Sequence, residues 1–109
     1  MKLPSVERAF VEDSKLGYLL RAEEKGGFFE AVGFSVEEAG VLREALLGHV
    51  RREEVRRTIE TEFGVKYALE GTLESPDGRN PEVRSVWIEE SGSDAPRFIT
   101  AYPHRRRRA

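Results

Sequence analysis

The sequence lacks cysteine altogether, and it has no long apolar run. Without cysteine there is no disulfide, no thiolate nucleophile and no cysteine-ligated zinc. Two histidines, His49 and His104, argue against a multi-histidine metal site, so neither a metal nor a cofactor is expected. No segment approaches the ~20 apolar residues of a membrane span, and the amino end has no signal-type apolar stretch. These absences predict a cytoplasmic protein without membrane contact.

Labile side chains are also scarce. The chain has no glutamine, one asparagine and one methionine, whereas 35% of its residues are charged. Proteins of hyperthermophiles are enriched in charge and depleted in labile residues. Two alternative explanations fit this pattern: a thermophile-like composition, or the codon bias of a GC-rich genome.

Positive charge is concentrated at the carboxyl end. The net charge is −2, and four consecutive arginines at 105–108 leave the rest of the chain at −6. An acidic body disfavours broad binding to a phosphate backbone, which depends on lysine and arginine. The 109 residues suit one domain. We therefore expect a single α+β domain over residues 1–103 and a basic, disordered tail over 104–109, which either is merely solvated or attracts polyanions.

Helical periodicity fills the first half of the chain. Asp13 or Ser14 is suited to cap a helix that continues to about Arg21. Two glycines at 26–27 predict a break, and residues 28–32 then predict one or two helical turns.

A longer helix follows. Ser35 and Glu38 have the spacing of a capping box, with the serine at the cap and the glutamate three residues later. Apolar residues at spacings of three and four predict that this helix ends between Val50 and Arg56. Residues 53–62 are ambiguous, because their β-branched residues favour a strand while their charges permit more helix.

The second half alternates with period two. Residues 65–73, 82–90 and 97–102 predict three strands, separated by turn-rich segments at 75–81 and 91–96. The predicted fold class is α+β, with N-terminal helices packed on one face of a small antiparallel sheet of three to four strands.

Polar side chains on the predicted strands are the first candidate site. Arg84, Ser85, Thr100 and Tyr102 would offer a guanidinium and hydroxyls to a phosphate. The alternative is an amphipathic sheet with one solvated face, in which threonine and tyrosine are simply good strand formers.

Two further residues have both a functional and a structural interpretation. His49 follows Leu46 on the apolar stripe of the long helix, where it is either an acid–base group or a packing residue. Arg79 lies in the turn after Asp77, where it either pairs with that aspartate or binds a partner molecule.

Several stretches occur in an order that resembles a widespread bacterial family known only as a domain of unknown function. The resemblance covers nearly the whole chain except the arginine tail. The stretches are KLGYLL (15–20), GFF (27–29), FGVKY (63–67), SPDGR (75–79), VRSVWI (83–88) and PRFITAYP (96–103).

The layout, with its terminal Arg-x-x-Thr-Ala-Tyr-Pro strand, is also similar to the barnase–colicin–RelE-like superfamily of small ribonuclease toxins. That resemblance implies a metal-independent attack of the RNA 2′-hydroxyl on the adjacent phosphate. It implies that Arg84 or Arg97 steadies the phosphate and that Thr100 and Tyr102 contact it.

The same resemblance implies that His49 or Lys25 is the acid or base. It leads to the first hypothesis, a toxin-like ribonuclease of a toxin–antitoxin or conflict system, whose partners are RNA and an antitoxin protein. The second hypothesis is a non-enzymatic module that binds a protein partner or forms a homodimer through the strand at 97–102, because a free edge strand is a template for pairing.

Overall fold

The computed structural model describes residues 1–21 and 23–104, with residues 23–26 described by their backbone only. Of the predicted basic tail, residues 105–109 lie outside the described part. Short 3₁₀ turns occupy Val6–Arg8 and Val36–Glu38. The helices are α1 (Asp13–Arg21), α2 (Glu23–Ala31) and α3 (Ala39–Arg52). The strands are β1 (Val55–Thr61), β2 (Gly64–Thr72), β3 (Glu82–Glu90) and β4 (Arg97–Pro103).

The four strands form an antiparallel sheet in the order β1-β2-β3-β4. Neighbouring strands in sequence are thus neighbours in space, as short connections favour. The ambiguous segment 53–62 is largely strand, and it supplies the fourth member of the sheet. The predicted α+β class, with helices first and a small antiparallel sheet after them, is confirmed.

The helices differ from the predictions at two places. Helix α2 continues through the predicted break at Gly26-Gly27. Phe29, fully buried against Phe28 and Phe34, ties this helix to the core, and tertiary packing outweighs the low helix propensity of glycine.

The capping box predicted at Ser35 is wrong. The Ser35 side chain makes no capping hydrogen bond. The Ser35 backbone carbonyl instead accepts a hydrogen bond from the Glu38 N–H at 3.2 Å, and this bond closes a 3₁₀ turn. Helix α3 proper therefore begins at Ala39, a few residues later than the capping pattern indicates.

The core lies between the helices and one face of the sheet. Leu19, Leu42 and Leu46 of the helices are fully buried, as are Trp87 and Phe98 of the sheet. The two sheet aromatics meet edge to face, with ring centroids 5.2 Å apart. We call this the inner face. The outer face carries the alternate residues of the same strands. Within the described residues, no helix is long and apolar enough to cross a membrane.

Candidate active site

The strand register gathers polar side chains at one end of the outer face. Glu70 of β2 is opposite Arg84 of β3, and Arg84 is in turn opposite Tyr102 of β4. Directly opposed residues have Cβ atoms about 5 Å apart. Three neighbouring strands thus present a carboxylate, a guanidinium and a phenol in one row.

Glu70 is the centre of this group. Its Oε2 accepts hydrogen bonds from Arg84 Nε, at 2.8 Å, and from Arg84 Nη2. Its Oε1 lies 3.3 Å from Nε2 of His104 and 3.6 Å from Nε of Arg56. The carboxylate thus contacts three basic side chains, and we call these residues with Tyr102 the Glu70 cluster.

Two local backbone features position Arg56 and His104, the basic residues on either side of this row. The pairing of β1 with β2 shifts register between Val55 and Arg57, so Arg56 occupies a bulge. A bulge changes the direction in which a side chain points, and the Arg56 side chain here contacts Glu70. His104 follows the last residue of β4, and its N–H donates to the Glu82 carbonyl at 3.0 Å.

The contacts shift the titration of the two central groups. The pKa of Glu70 is lowered, chiefly by the hydrogen bond from Arg84. The positive charges of Arg84, His104 and Arg56 lower it further, whereas partial burial raises it. The pKa of Arg84 is raised by hydrogen bonds to Glu70 and then to Tyr102. At neutral pH the centre of the cluster is an ion pair.

The cluster combines the groups needed to move protons beside an anion. A carboxylate can accept a proton, an imidazolium can donate one, and two guanidiniums can bind a phosphate. Among the described residues, no group of three histidine, aspartate or glutamate side chains is arranged to hold a metal ion.

His49 and Ser85, two predicted site residues, lie on the inner face. Both are fully buried. His49 Nδ1 lies 3.1 Å from the Thr72 carbonyl, and its Nε2 lies 2.9 Å from Ser85 Oγ, which also accepts the indole N–H of Trp87 at 3.0 Å. The carbonyl only accepts, so Nδ1 carries the proton and Nε2 accepts from the serine hydroxyl.

This arrangement keeps His49 neutral. Burial lowers the pKa of His49, against the smaller raising effects of the Thr72 hydrogen bond and of Glu53. Each ring nitrogen has a partner, and the side chain is closed to solvent. The structure does not bring His49 to Arg84 or Tyr102.

The other predicted residues are dispersed. Arg97 lies at the far end of the outer face, bonded to Glu90 at 3.0 Å, with Glu12 3.6 Å away. Arg79 pairs with Asp77 at 3.2 Å in the exposed turn. Thr100 is opposite Val86 on the outer face, in the row beside that of Tyr102. Lys25 lies outside the residues whose side chains the structure describes.

Sequence reasoning missed Glu70, Arg56 and His104 as site residues. One available signal was that His104 continues the period-two series of Thr100 and Tyr102 on the outer face. Predicting Glu70 as a site residue requires the β2–β3 register, which the pattern of a single strand does not contain. Predicting Arg56 as a site residue requires knowledge of the bulge in β1.

A recess of about 640 Å³ lies elsewhere, beside α1 and the second 3₁₀ turn. Its described lining includes Asp13, Tyr18 and Val36 but no member of the Glu70 cluster. Because it gathers no comparable set of acid–base groups, we assign the candidate chemistry to the outer face of the sheet.

Comparison with known proteins places the chain in a family. A family model matches residues 2–105. The chain belongs to the family described as Domain of unknown function (DUF6883). A comparison with curated proteins gives no significant match.

The fold is shared with a solved structure. It is a contact-dependent growth inhibition toxin–immunity protein complex from Klebsiella pneumoniae 342, matched with a TM-score of 0.72 and 18% sequence identity. The match covers 94% of this chain and 99% of the other. At this identity the likeness establishes a common architecture, to which the helices and the four-stranded meander both contribute.

Proposed function

We propose that the chain is a toxin-like, metal-independent ribonuclease whose active site is the Glu70 cluster. The observation that carries the proposal is the contact of one carboxylate with both a guanidinium and an imidazole on an open sheet face. Such a set supplies a base, an acid and a phosphate anchor without a cofactor.

The proposed reaction is transphosphorylation. The Glu70 carboxylate removes the proton of an RNA 2′-hydroxyl, whose oxygen attacks the adjacent phosphorus. The bond from phosphorus to the 5′-oxygen breaks, and protonated His104 gives that oxygen its proton. The products are a 2′,3′-cyclic phosphate and a free 5′-hydroxyl. The lowered pKa of Glu70 keeps the carboxylate ionised at neutral pH, although it also makes it a weaker base.

The two arginines would neutralise the charge that accumulates on the phosphate. A guanidinium has five N–H donors, and Glu70 engages only Nε and Nη2 of Arg84. The Arg56 side chain is 66% exposed, so it is accessible to a substrate. Tyr102 would orient Arg84 through the hydrogen bond between them.

Parts of the molecule outside the cluster fit this role. The four arginines at 105–108 follow His104 directly in the sequence, and we propose that they help to capture cytoplasmic RNA. An antitoxin or immunity-type protein would inhibit the enzyme by covering the outer face. Its acidic side chains would compete with RNA for Arg84 and Arg56.

The structural neighbour is a complex that contains both a toxin and an immunity protein, and its likeness alone fits either role. The Glu70 cluster favours the toxin, because an inhibitor has no need of a partly buried acid–base pair on its sheet. The alternative module that pairs through β4 has less support, since Phe10 already bonds to that edge through Pro96 and Phe98, at 3.0 Å each.

The test is cleavage of a structured RNA by the purified protein in EDTA. Glu70→Gln and His104→Gln should each lower the rate at least about 100-fold, as loss of an acid or base does. Glu90→Gln is the matched control, because Glu90 also bonds an arginine but at the far end of the sheet. Equal rates for Glu70→Gln and wild type would refute the assignment.

A further inference from the structure

The Glu70 carboxylate is covered by basic side chains, although it lies on the outer face of the sheet. The Glu70 side chain is 14% exposed, whereas that of Arg84 is 35% exposed and that of Arg56 is 66% exposed. The two oxygens of a carboxylate together offer about four acceptor positions. Arg84 occupies two of them on Oε2, and His104 and Arg56 face Oε1 at 3.3 and 3.6 Å. A substrate hydroxyl therefore reaches neither oxygen until one of these contacts opens.

The way in which a guanidinium binds phosphate indicates which contact opens. The strongest arrangement uses two parallel N–H···O bonds along one edge of the planar group. In Arg84 the edge formed by Nε and Nη2 is bonded to Glu70, and the same guanidinium is hydrogen-bonded to Tyr102. A phosphate that binds Arg84 through two bonds therefore competes with an acceptor that is already in place.

The position that the carboxylate occupies suits anions in general. Three cationic side chains from three different strands or strand ends converge on it, namely Arg84, Arg56 and His104. A phosphodiester carries one negative charge on two free oxygens, as a carboxylate does, so it can accept hydrogen bonds from the same donors. Glu70 thus resembles an internal ligand of an oxyanion site.

We propose that Arg84, Arg56 and His104 form an oxyanion site for a phosphate of the substrate. In the free protein the Glu70 carboxylate occupies this site, and the phosphate exchanges for it. The inference rests on the proposed function, since it supplies the step by which the ribonuclease admits its substrate. Only hydrogen bonds form and break in the exchange. Arg84 keeps an anionic partner throughout, and the displaced carboxylate gains an open acceptor for the 2′-hydroxyl.

Release from Arg84 also makes the carboxylate a stronger base. The hydrogen bond from Arg84 is the largest cause of the lowered pKa of Glu70, so its loss raises that pKa towards the ordinary value for glutamate. A carboxylate of higher pKa accepts a proton more readily. The free protein therefore holds its base in a weak form, and the phosphate of the substrate activates it.

The test measures binding separately from cleavage. The probe is a fluorescently labelled all-deoxy strand, which has phosphates but no 2′-hydroxyl, and fluorescence anisotropy in EDTA gives its Kd. Glu70→Gln keeps the size of the side chain but removes the competing charge, so it should bind the probe at least about 10-fold tighter than wild type. Glu90→Gln is the matched control, because it removes a charge paired with Arg97 on the same face and should change Kd less than about twofold.

A double variant assigns the gain in affinity to Arg84. Arg84→Gln removes the guanidinium for which phosphate and Glu70 compete, so adding Glu70→Gln to it should give little further gain. A gain for Glu70→Gln no larger than that of the control would overturn the proposal. So would a gain that persists in full without Arg84.

Nuclear magnetic resonance provides a readout on wild type that requires no variant to fold. The side-chain carboxylate signal of Glu70 should move as the all-deoxy strand is added, because the carboxylate loses its bonds to Arg84. The carboxylate signal of Glu90 serves as the internal reference. A Glu70 signal that is unchanged when the protein is saturated with the strand would overturn the proposal.

The outcomes distinguish this proposal from the proposed function. If Glu70→Gln loses cleavage but binds the probe no tighter than wild type, the exchange is refuted and the catalytic assignment stands. If Glu70→Gln binds the probe tighter but wild type cleaves no RNA, the oxyanion site is supported and the ribonuclease assignment is refuted.

Discussion

Arg84 and Ser85 are consecutive in β3 and project to opposite faces of the sheet. Arg84 bonds Glu70 on the outer face, and Ser85 bonds His49 in the core. The two polar networks therefore lie on opposite sides of the sheet, although the residues that anchor them are adjacent in sequence. The outer network is partly exposed to solvent, whereas the inner one is fully buried and joins α3 to the sheet.

The first prediction concerns Ser85 as the link of the inner network. Ser85→Ala removes the hydroxyl that bonds both His49 Nε2 and the Trp87 indole N–H. Each orphaned buried group costs about 1–3 kcal/mol, so the free energy of unfolding should fall by about 2–6 kcal/mol. Urea titration measures this loss. Ser91→Ala, at an exposed serine, serves as the control, and equal small effects in both variants would contradict the network.

The second prediction is a pH dependence of stability that originates at His49. Its pKa is lowered in the native state by burial, so below the ordinary histidine pKa of about 6.5 the unfolded chain binds a proton that the native chain does not. The free energy of unfolding should therefore decrease as the pH falls from 6.5 towards the lowered value. The largest slope is about 1.4 kcal/mol per pH unit.

Urea titrations between neutral and mildly acidic pH measure that slope. His49→Asn should be less stable than wild type at neutral pH and should show a flatter dependence over this interval. His104→Gln, which removes the other histidine, should keep the wild-type slope from His49. A variant lacking His49 that loses stability as steeply as wild type would contradict the assignment.

The third prediction compares two glycines. Gly64 has a φ of +147°, and a Cβ there would fall on the Glu89 carbonyl oxygen and 2.7 Å from the Glu90 Cα. Gly64→Ala should therefore destabilise the fold by more than about 2 kcal/mol, since backbone must move. Gly40, in α3, has open space around its missing Cβ, and Gly40→Ala should add up to about 1 kcal/mol of stability. Thermal unfolding distinguishes the two, and an unchanged midpoint for Gly64→Ala would refute the steric account.

The fourth prediction concerns the geometry of Arg84. Arg84→Lys retains a positive charge but loses the planar fork that bonds Glu70 through two nitrogens. We expect kcat/KM for RNA cleavage to fall by about 10- to 100-fold. Single-turnover and steady-state kinetics measure it, with circular dichroism as the check of folding. A lysine variant as active as wild type would show that charge alone suffices.

Much of the fold follows from periodicity. The three later strands alternate between a buried and an open face, so their positions are visible in the sequence. Strand β1 is exposed on nearly its whole length, so neither face selects apolar residues and the pattern of residues 53–62 is ambiguous. The predicted break at Gly26-Gly27 is wrong because local propensity does not include the burial of Phe29.

The candidate site was visible only in part. Strict alternation in β4 groups Tyr102 with Phe98, which is buried on the inner face. The pairing of β3 with β4 shifts register between Val86 and Trp87, and this shift places Tyr102 opposite Arg84 on the outer face. The pairing of Glu70 with Arg84 depends on inter-strand register, and the orientation of His49 depends on how α3 docks against the sheet. Neither relationship is encoded within a single strand or helix, so the Glu70 cluster emerged only from the three-dimensional arrangement.

The central claim is that the outer face cleaves RNA through its 2′-hydroxyl. The most direct measurement uses a DNA strand with a single ribonucleotide, incubated with wild type and Glu70→Gln in EDTA. We predict one cut on the 3′ side of the ribonucleotide, a 2′,3′-cyclic phosphate on the product and loss of the cut with Glu70→Gln. An uncut strand, a cut in an all-deoxy strand, or equal cleavage by Glu70→Gln would contradict the account.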